Sequence, residues 1–78
     1  MSKITDARKE LQKIVDSIPV ANFGKIKVQI NGDTLNELFM RTFSPADAVR
    51  IIAGLREKGI NAHGYTYDSC KVGVPLWL

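Results

Sequence analysis

The sequence is poor in the residues that build disulfides and metal centres. Its 78 residues include one cysteine, Cys70, and one histidine, His63. A single cysteine excludes an internal disulfide, and one cysteine with one histidine falls short of the four ligands of a usual structural zinc site. We therefore expect no disulfide and no bound metal, and we expect a reducing compartment, the cytoplasm.

Long apolar runs and phosphate-binding loops are also missing. No stretch approaches the roughly 18 apolar residues that mark a membrane span, and residues 1–15 carry charges where a signal peptide has its apolar stretch. Gly24 and Gly32 lack the GxGxxG or GxxxxGK spacing that aims backbone amides at a phosphate. The sequence predicts no membrane association and no nucleotide or other cofactor.

Groups for catalysis are scarce as well. A chain of this length buries only about 60% of its unfolded surface, which leaves no room for a deep cleft. His63 and Cys70 flank a predicted turn and have the chemistry of a base and a nucleophile, but the sequence specifies no third group to orient them. The carboxylates fall mostly on exposed helix faces or in turns. We expect a protein that is not an enzyme.

Two segments have the apolar spacing of amphipathic helices, at about 3–17 and about 45–58. The second has clear boundaries. Ser44 suits the N-cap and Pro45 the first helical position. Gly59 suits the left-handed residue after the helix, with Ile60 packing back on Leu55.

The remaining segments are typical of strands. Residues 25–30 alternate apolar and polar side chains without a break. Residues 37–43 are predicted to form the neighbouring strand, although Thr34 and Glu37 also have the spacing of a capping box, which suits a short helix. Residues 61–78 are rich in β-forming residues and predict a second hairpin that turns at Asp68 and Ser69.

This order predicts a single α+β domain over residues 1–78. The elements follow as α-β-β-α-β-β, which implies a four-stranded, mostly antiparallel sheet with both helices packed on one face. Pro75 predicts that the last strand lies at a sheet edge or ends at that residue.

The other face of such a sheet is open to solvent or to a partner. Lys25 and Lys27 point outward if Ile26 and Val28 are buried. Two sets on the next strand compete for the outer face, and the sequence does not choose between them: Leu38, Met40 and Thr42, or Phe39, Arg41 and Phe43. His63 shares one face of its strand with two tyrosines. The predicted partner-binding residues of this face are Lys25, Lys27, Arg41, Tyr65 and Tyr67.

The end of the chain is unusually apolar, with Trp77 in the segment 74–78. Chain ends normally fray unless they are docked. We expect either a last strand docked on its own core or a contact with a homodimer mate or another partner. Trp77 would be the anchor of that contact.

Eleven lysines and arginines against eight acids give a net charge of +3, a mild excess that favours an acidic partner. Two functions are compatible with the predicted face. The first is the occlusion of a surface on a larger protein or ribonucleoprotein complex. The second is the binding of single-stranded nucleic acid, because lysines beside aromatic rings can track phosphates while the rings stack on bases.

A small basic α+β chain without catalytic groups resembles the accessory and inhibitor proteins of phages and mobile elements, anti-CRISPR proteins among them. The resemblance covers size and architecture alone. It implies an inhibitor that works by binding.

Overall fold

The structure, a computed structural model, describes residues 3–20, 25–30 and 37–75. It contains, in chain order, α1 (Lys3–Asp16), β1 (Val28–Ile30), β2 (Glu37–Arg41), α2 (Pro45–Glu57), β3 (His63–Gly64) and β4 (Lys71–Pro75). Within these ranges the strands form one antiparallel sheet in the order β1-β2-β4-β3. The predicted fold class and element order are confirmed.

The core lies between the inner face of the sheet and the two helices. It includes Leu11 of α1, Ile51 and Leu55 of α2, and side chains from three strands. On β2 the inward residues are Leu38 and Met40, both fully buried. Because side chains alternate along a strand, Phe39 and Arg41 face outward, which decides the question that the sequence left open.

The boundaries of α2 follow the predicted capping. The Ser44 hydroxyl accepts a hydrogen bond from the Asp47 amide at 3.2 Å. At the other end Gly59 has a φ of 81°. The Ile60 amide donates to the Leu55 carbonyl, and the Gly59 amide donates to the Arg56 carbonyl, both at 3.0 Å. This pair of bonds is the predicted Schellman ending.

β1 is shorter than the predicted strand over 25–30, although the alternation continues, with Ile26 buried and Lys27 exposed. The outer edge of this segment is held by Gln12 of α1. The Gln12 side-chain amide donates to the Ile26 carbonyl at 2.9 Å and accepts from the Val28 amide at 2.8 Å. One glutamine side chain therefore takes the place of a neighbouring strand along this part of the edge.

β4 lies in the middle of the sheet, so the prediction that Pro75 marks an edge strand is wrong. The alternative, that the strand ends there, stays a prediction, because Pro75 is the last residue of the chain that the structure describes. The hydrogen bonds explain how a central strand holds a proline. The Thr42 amide bonds to Cys70 and the Tyr65 amide to Lys71, so odd-numbered residues of β4 turn their backbone groups toward β3. β3 does not reach Pro75, and the missing N–H breaks no ladder bond.

A candidate binding surface on the open sheet face

An aromatic–lysine cluster covers the outer face of β4 and its neighbours. We use this name for Phe39 of β2, Lys71 of β4, His63 of β3, and Tyr65 and Tyr67 of the connection between β3 and β4. The cluster is held together by ring contacts and cation–π contacts rather than by burial. Tyr67 at its margin is 74% exposed.

Lys71 is at the centre of the cluster. Its ammonium lies 4.5 Å from the centroid of the Phe39 ring, 4.7 Å from that of Tyr65 and 5.7 Å from that of Tyr67. It also donates a hydrogen bond to the Tyr67 hydroxyl at 3.3 Å. A cation over an aromatic face gains about 0.5–1 kcal/mol at an exposed site. The faces of Phe39 and Tyr65 and the hydroxyl of Tyr67 therefore restrain a side chain that is otherwise among the most mobile.

The rings are also fixed to one another and to Glu37. The centroids of His63 and Tyr65 lie 5.3 Å apart, and Tyr65 meets Tyr67 edge-on at the same distance. The Tyr65 hydroxyl donates to one oxygen of the Glu37 carboxylate, and His63 Nε2 lies 3.1 Å from the other. One largely shielded carboxylate thus orients two rings of the cluster.

The His63 and Tyr65 rings pack directly against Gly73 of β4. A Cβ atom at this position would stand 2.8 Å from the His63 ring and 2.9 Å from Tyr65 Cε1. These separations are too short for carbon in contact with carbon or nitrogen, so no larger residue leaves the rings where they are. The glycine is required here for close approach.

Three cations form a row beside the rings, and we call Lys27, Arg41 and Lys71 the cationic row. Arg41 is directly opposite Lys71 in the β2–β4 register. Lys27 precedes Val28, the first residue of β1, which pairs with Met40, so Lys27 and Arg41 are the next residues on either side of that pair. Arg41 Nη1 lies 2.7 Å from Asp68 Oδ2. Asp68 also accepts the Cys70 amide at 3.0 Å, so its carboxylate is fixed in the turn.

The structure brings together Lys27, Arg41, Tyr65 and Tyr67, four of the predicted partner-binding residues, on one face. Lys25 lies apart from them, because its ammonium faces Asp16 at the end of α1 at 3.9 Å. Trp77 falls outside the described residues. The binding role of all six residues stays a prediction.

Sequence reasoning missed Lys71, Glu37 and Gly73 as members of the surface. The alternation of β4 does contain a signal, because Val72 and Val74 are apolar and their neighbours face the other way. The meeting of Lys71 with three rings depends on the register between strands, which the sequence does not show.

The described residues contain no group of three histidine, cysteine, aspartate or glutamate side chains arranged to hold a metal ion. His63 turns its Nε2 toward Glu37. Neither described helix has the length and apolar character to cross a bilayer.

Comparisons with protein-family models, with curated proteins and with solved structures find no match. Function is therefore inferred from the chemistry of the open sheet face.

Proposed function

We propose that this chain is a non-enzymatic binding protein that covers a surface on a larger protein with its open sheet face. The observation that carries the proposal is the aromatic–lysine cluster, which is fixed by internal contacts yet lies at the surface. Tyrosine and arginine are the residues that protein interfaces enrich, and buried aromatic anchors supply most of their affinity.

Preorganisation makes this surface suitable for docking. Association costs about 0.5–1.5 kcal/mol for each flexible side chain that it immobilises. Here Tyr65 is tied to Glu37, and Lys71 to three rings, before any partner arrives. Phe43, two residues after the end of β2, is 50% exposed and adds apolar surface. The free energy gained when a partner buries this surface would therefore be reduced only slightly by the loss of side-chain conformational entropy.

Single-stranded nucleic acid is the second candidate, because the cluster places a lysine beside aromatic rings. The charges favour a protein instead. Arg41 is already paired with Asp68, which leaves Lys27 and Lys71 to meet phosphates. Two phosphate contacts on a single strand predict an affinity loss of only about 7-fold between about 50 and about 200 mM salt. Lys71 also occupies the ring surfaces on which bases would stack.

More narrowly, we propose that the chain inhibits its partner by covering this surface. The resemblance in size and architecture to phage and mobile-element inhibitors supports a partner that is a host protein or ribonucleoprotein complex. We propose that this occurs in the cytoplasm. The same face could pair with a second copy of the chain, and sedimentation of the isolated protein distinguishes that case, because a stable homodimer would have the cluster already covered.

Two exposed residues on different faces provide a matched test. Tyr67 belongs to the cluster, whereas Val49 is 65% exposed on α2. Partner is captured from extract of the source organism and purified, and its affinity is measured for the wild type, Tyr67→Ala and Val49→Ala. We expect Tyr67→Ala to weaken binding about 10-fold or more, as loss of an interface anchor does. Val49→Ala should bind as the wild type does.

Circular dichroism checks that both variants keep the fold. Because both side chains are largely exposed, we expect unchanged spectra. Equal affinities for all three proteins would contradict the proposal, and so would a loss confined to Val49→Ala.

A further inference from the structure

The cationic row places like charges next to each other on the sheet, which is unfavourable for its stability. Neighbouring strands lie about 4.8 Å apart, and like charges directly opposite each other on two strands are destabilising. Arg41 of β2 opposes Lys71 of β4. Lys27 lies one residue before β1, next to Val28, whose partner Met40 is next to Arg41. The alignment of β1 with β2 therefore extends the positive charge of the open face from Arg41 to Lys27.

The described residues neutralise little of this charge. Asp68 pairs with Arg41 at 2.7 Å. No carboxylate of a described residue lies within 4.0 Å of the Lys27 or Lys71 ammonium. The aromatic side chains around Lys71 offer its ammonium one hydrogen-bond acceptor, the Tyr67 hydroxyl. Among the described residues, the row therefore retains two positive charges that no carboxylate pairs with, on Lys27 and Lys71.

We propose that the cationic row binds an acidic segment of the partner protein, with aspartate or glutamate carboxylates meeting Lys27 and Lys71. The inference rests on the proposed function and gives the chemistry of the partner. The row spans two strand spacings, about 10 Å, and alternate side chains of an extended segment lie about 7 Å apart. Two carboxylates about 7 Å apart lie within the length of the row, and the long lysine side chains can reach both from its two ends.

The surroundings favour carboxylates over phosphates of a nucleic acid. A bound strand would need open ring faces for its bases, and Lys71 covers parts of the Phe39 and Tyr65 rings. An acidic protein segment needs only the ammonium groups at the surface and leaves the cluster in place.

The test is a titration of isotope-labelled protein, followed by the shifts of backbone amides. One probe is a short acetylated peptide in which glutamate alternates with serine, and the other is an oligothymidylate of the same length. The variants are Lys27→Gln and Lys71→Gln. The control is Lys9→Gln, because Lys9 is an exposed lysine of α1 that has no carboxylate of a described residue within 4.0 Å.

We expect the glutamate peptide to shift the amides of the row, with an affinity that falls about 3- to 10-fold in Lys27→Gln and Lys71→Gln and less than 2-fold in Lys9→Gln. Equal losses in all three variants, or shifts away from the row, would overturn the inference. Tighter binding of the oligothymidylate than of the peptide would overturn it in favour of nucleic acid.

The two proposals can fail separately. If the peptide does not bind the row while Tyr67→Ala still lowers the affinity for the captured partner, the proposed acidic segment is wrong. The proposed binding face is then still supported. Should the peptide bind the row while Tyr67→Ala leaves the partner's affinity unchanged, the row binds acids and the proposed docking of the cluster is wrong.

Discussion

Replacement of Gly73 by alanine tests whether the rings over β4 are fixed as described. The added Cβ would stand 2.8 Å from the His63 ring and 2.9 Å from Tyr65 Cε1. Both rings must lift from the strand to make room. Since both are bonded to Glu37, lifting them stretches the contacts that its two carboxylate oxygens make.

The expected loss of stability is about 1–2 kcal/mol. Overpacking costs about 1–3 kcal/mol in a closed core, and partly exposed rings relieve some of it by moving. A weakened hydrogen bond to a charged group adds to the loss, since such bonds contribute about 1.5–3 kcal/mol. Alanine is more favourable than glycine within a strand by roughly 0.5–1 kcal/mol, and this offsets part of the loss. For a domain of this size, 1 kcal/mol corresponds to about 4–8 °C in Tm.

Urea unfolding measures the effect, and Gly64→Ala on the adjacent strand is the control. There the nearest atom to a new Cβ is Ile52 Cδ1 at 3.6 Å, an ordinary contact. We expect Gly64→Ala to be as stable as the wild type or slightly more stable. If Gly73→Ala matches Gly64→Ala in stability, the rings do not lie on Gly73, and the described cluster is wrong.

Other predictions concern the scaffold of the face. Gln12→Ala removes both bonds to the edge of β1 and should lower the free energy of unfolding by about 1–2 kcal/mol; Gln29→Ala, which removes an exposed side chain of the same strand, should change it by less than about 0.5 kcal/mol. Gly59→Ala meets no atom within 4 Å but forces alanine into a φ of 81°, so chemical denaturation should show a loss of about 1 kcal/mol. A Gln12→Ala protein as stable as Gln29→Ala, or a neutral Gly59→Ala, would contradict these contacts.

Local signals predicted the helices well. The start and end of α2 are determined by residues within a few positions of each other, Ser44 and Pro45 at one end and Gly59 at the other. Each residue acts through its own backbone geometry or its own hydroxyl, which the sequence reveals. α1 ends at Asp16, one residue before the predicted bound.

The face of β2 could not be chosen from alternation alone, because either set would bury large apolar groups. The structure buries Thr42 with Leu38 and Met40, and this needs partners for the threonine hydroxyl. Its oxygen lies 2.8 Å from the Cys70 carbonyl oxygen and 2.9 Å from that of Ser44, so its single proton has two acceptors within reach. Cys70 is far from Thr42 in the sequence. Only the folded sheet therefore shows that the buried hydroxyl has a hydrogen-bond partner.

The candidate surface was predictable in composition and not in geometry. Alternation in the sequence predicted Tyr65, Tyr67 and the outward lysines, although the two tyrosines lie in the connection between β3 and β4 and not on the strand that the alternation predicted. Lys71 between the rings, and Glu37 beneath them, depend on the pairing of β2 with β4. Pro75 shows the same limit, since its effect on the ladder depends on the length of β3.

The central claim is that the open sheet face contacts a protein partner. Site-specific photo-crosslinking in cells tests it most directly, with benzoylphenylalanine incorporated in place of Tyr67 or of Val49. Both positions are largely exposed and lie on different faces, so a difference in yield reports the interface and not accessibility. We predict a covalent protein adduct from position 67 and little from position 49. Equal yields at both positions, or a greater yield at position 49, would contradict the account.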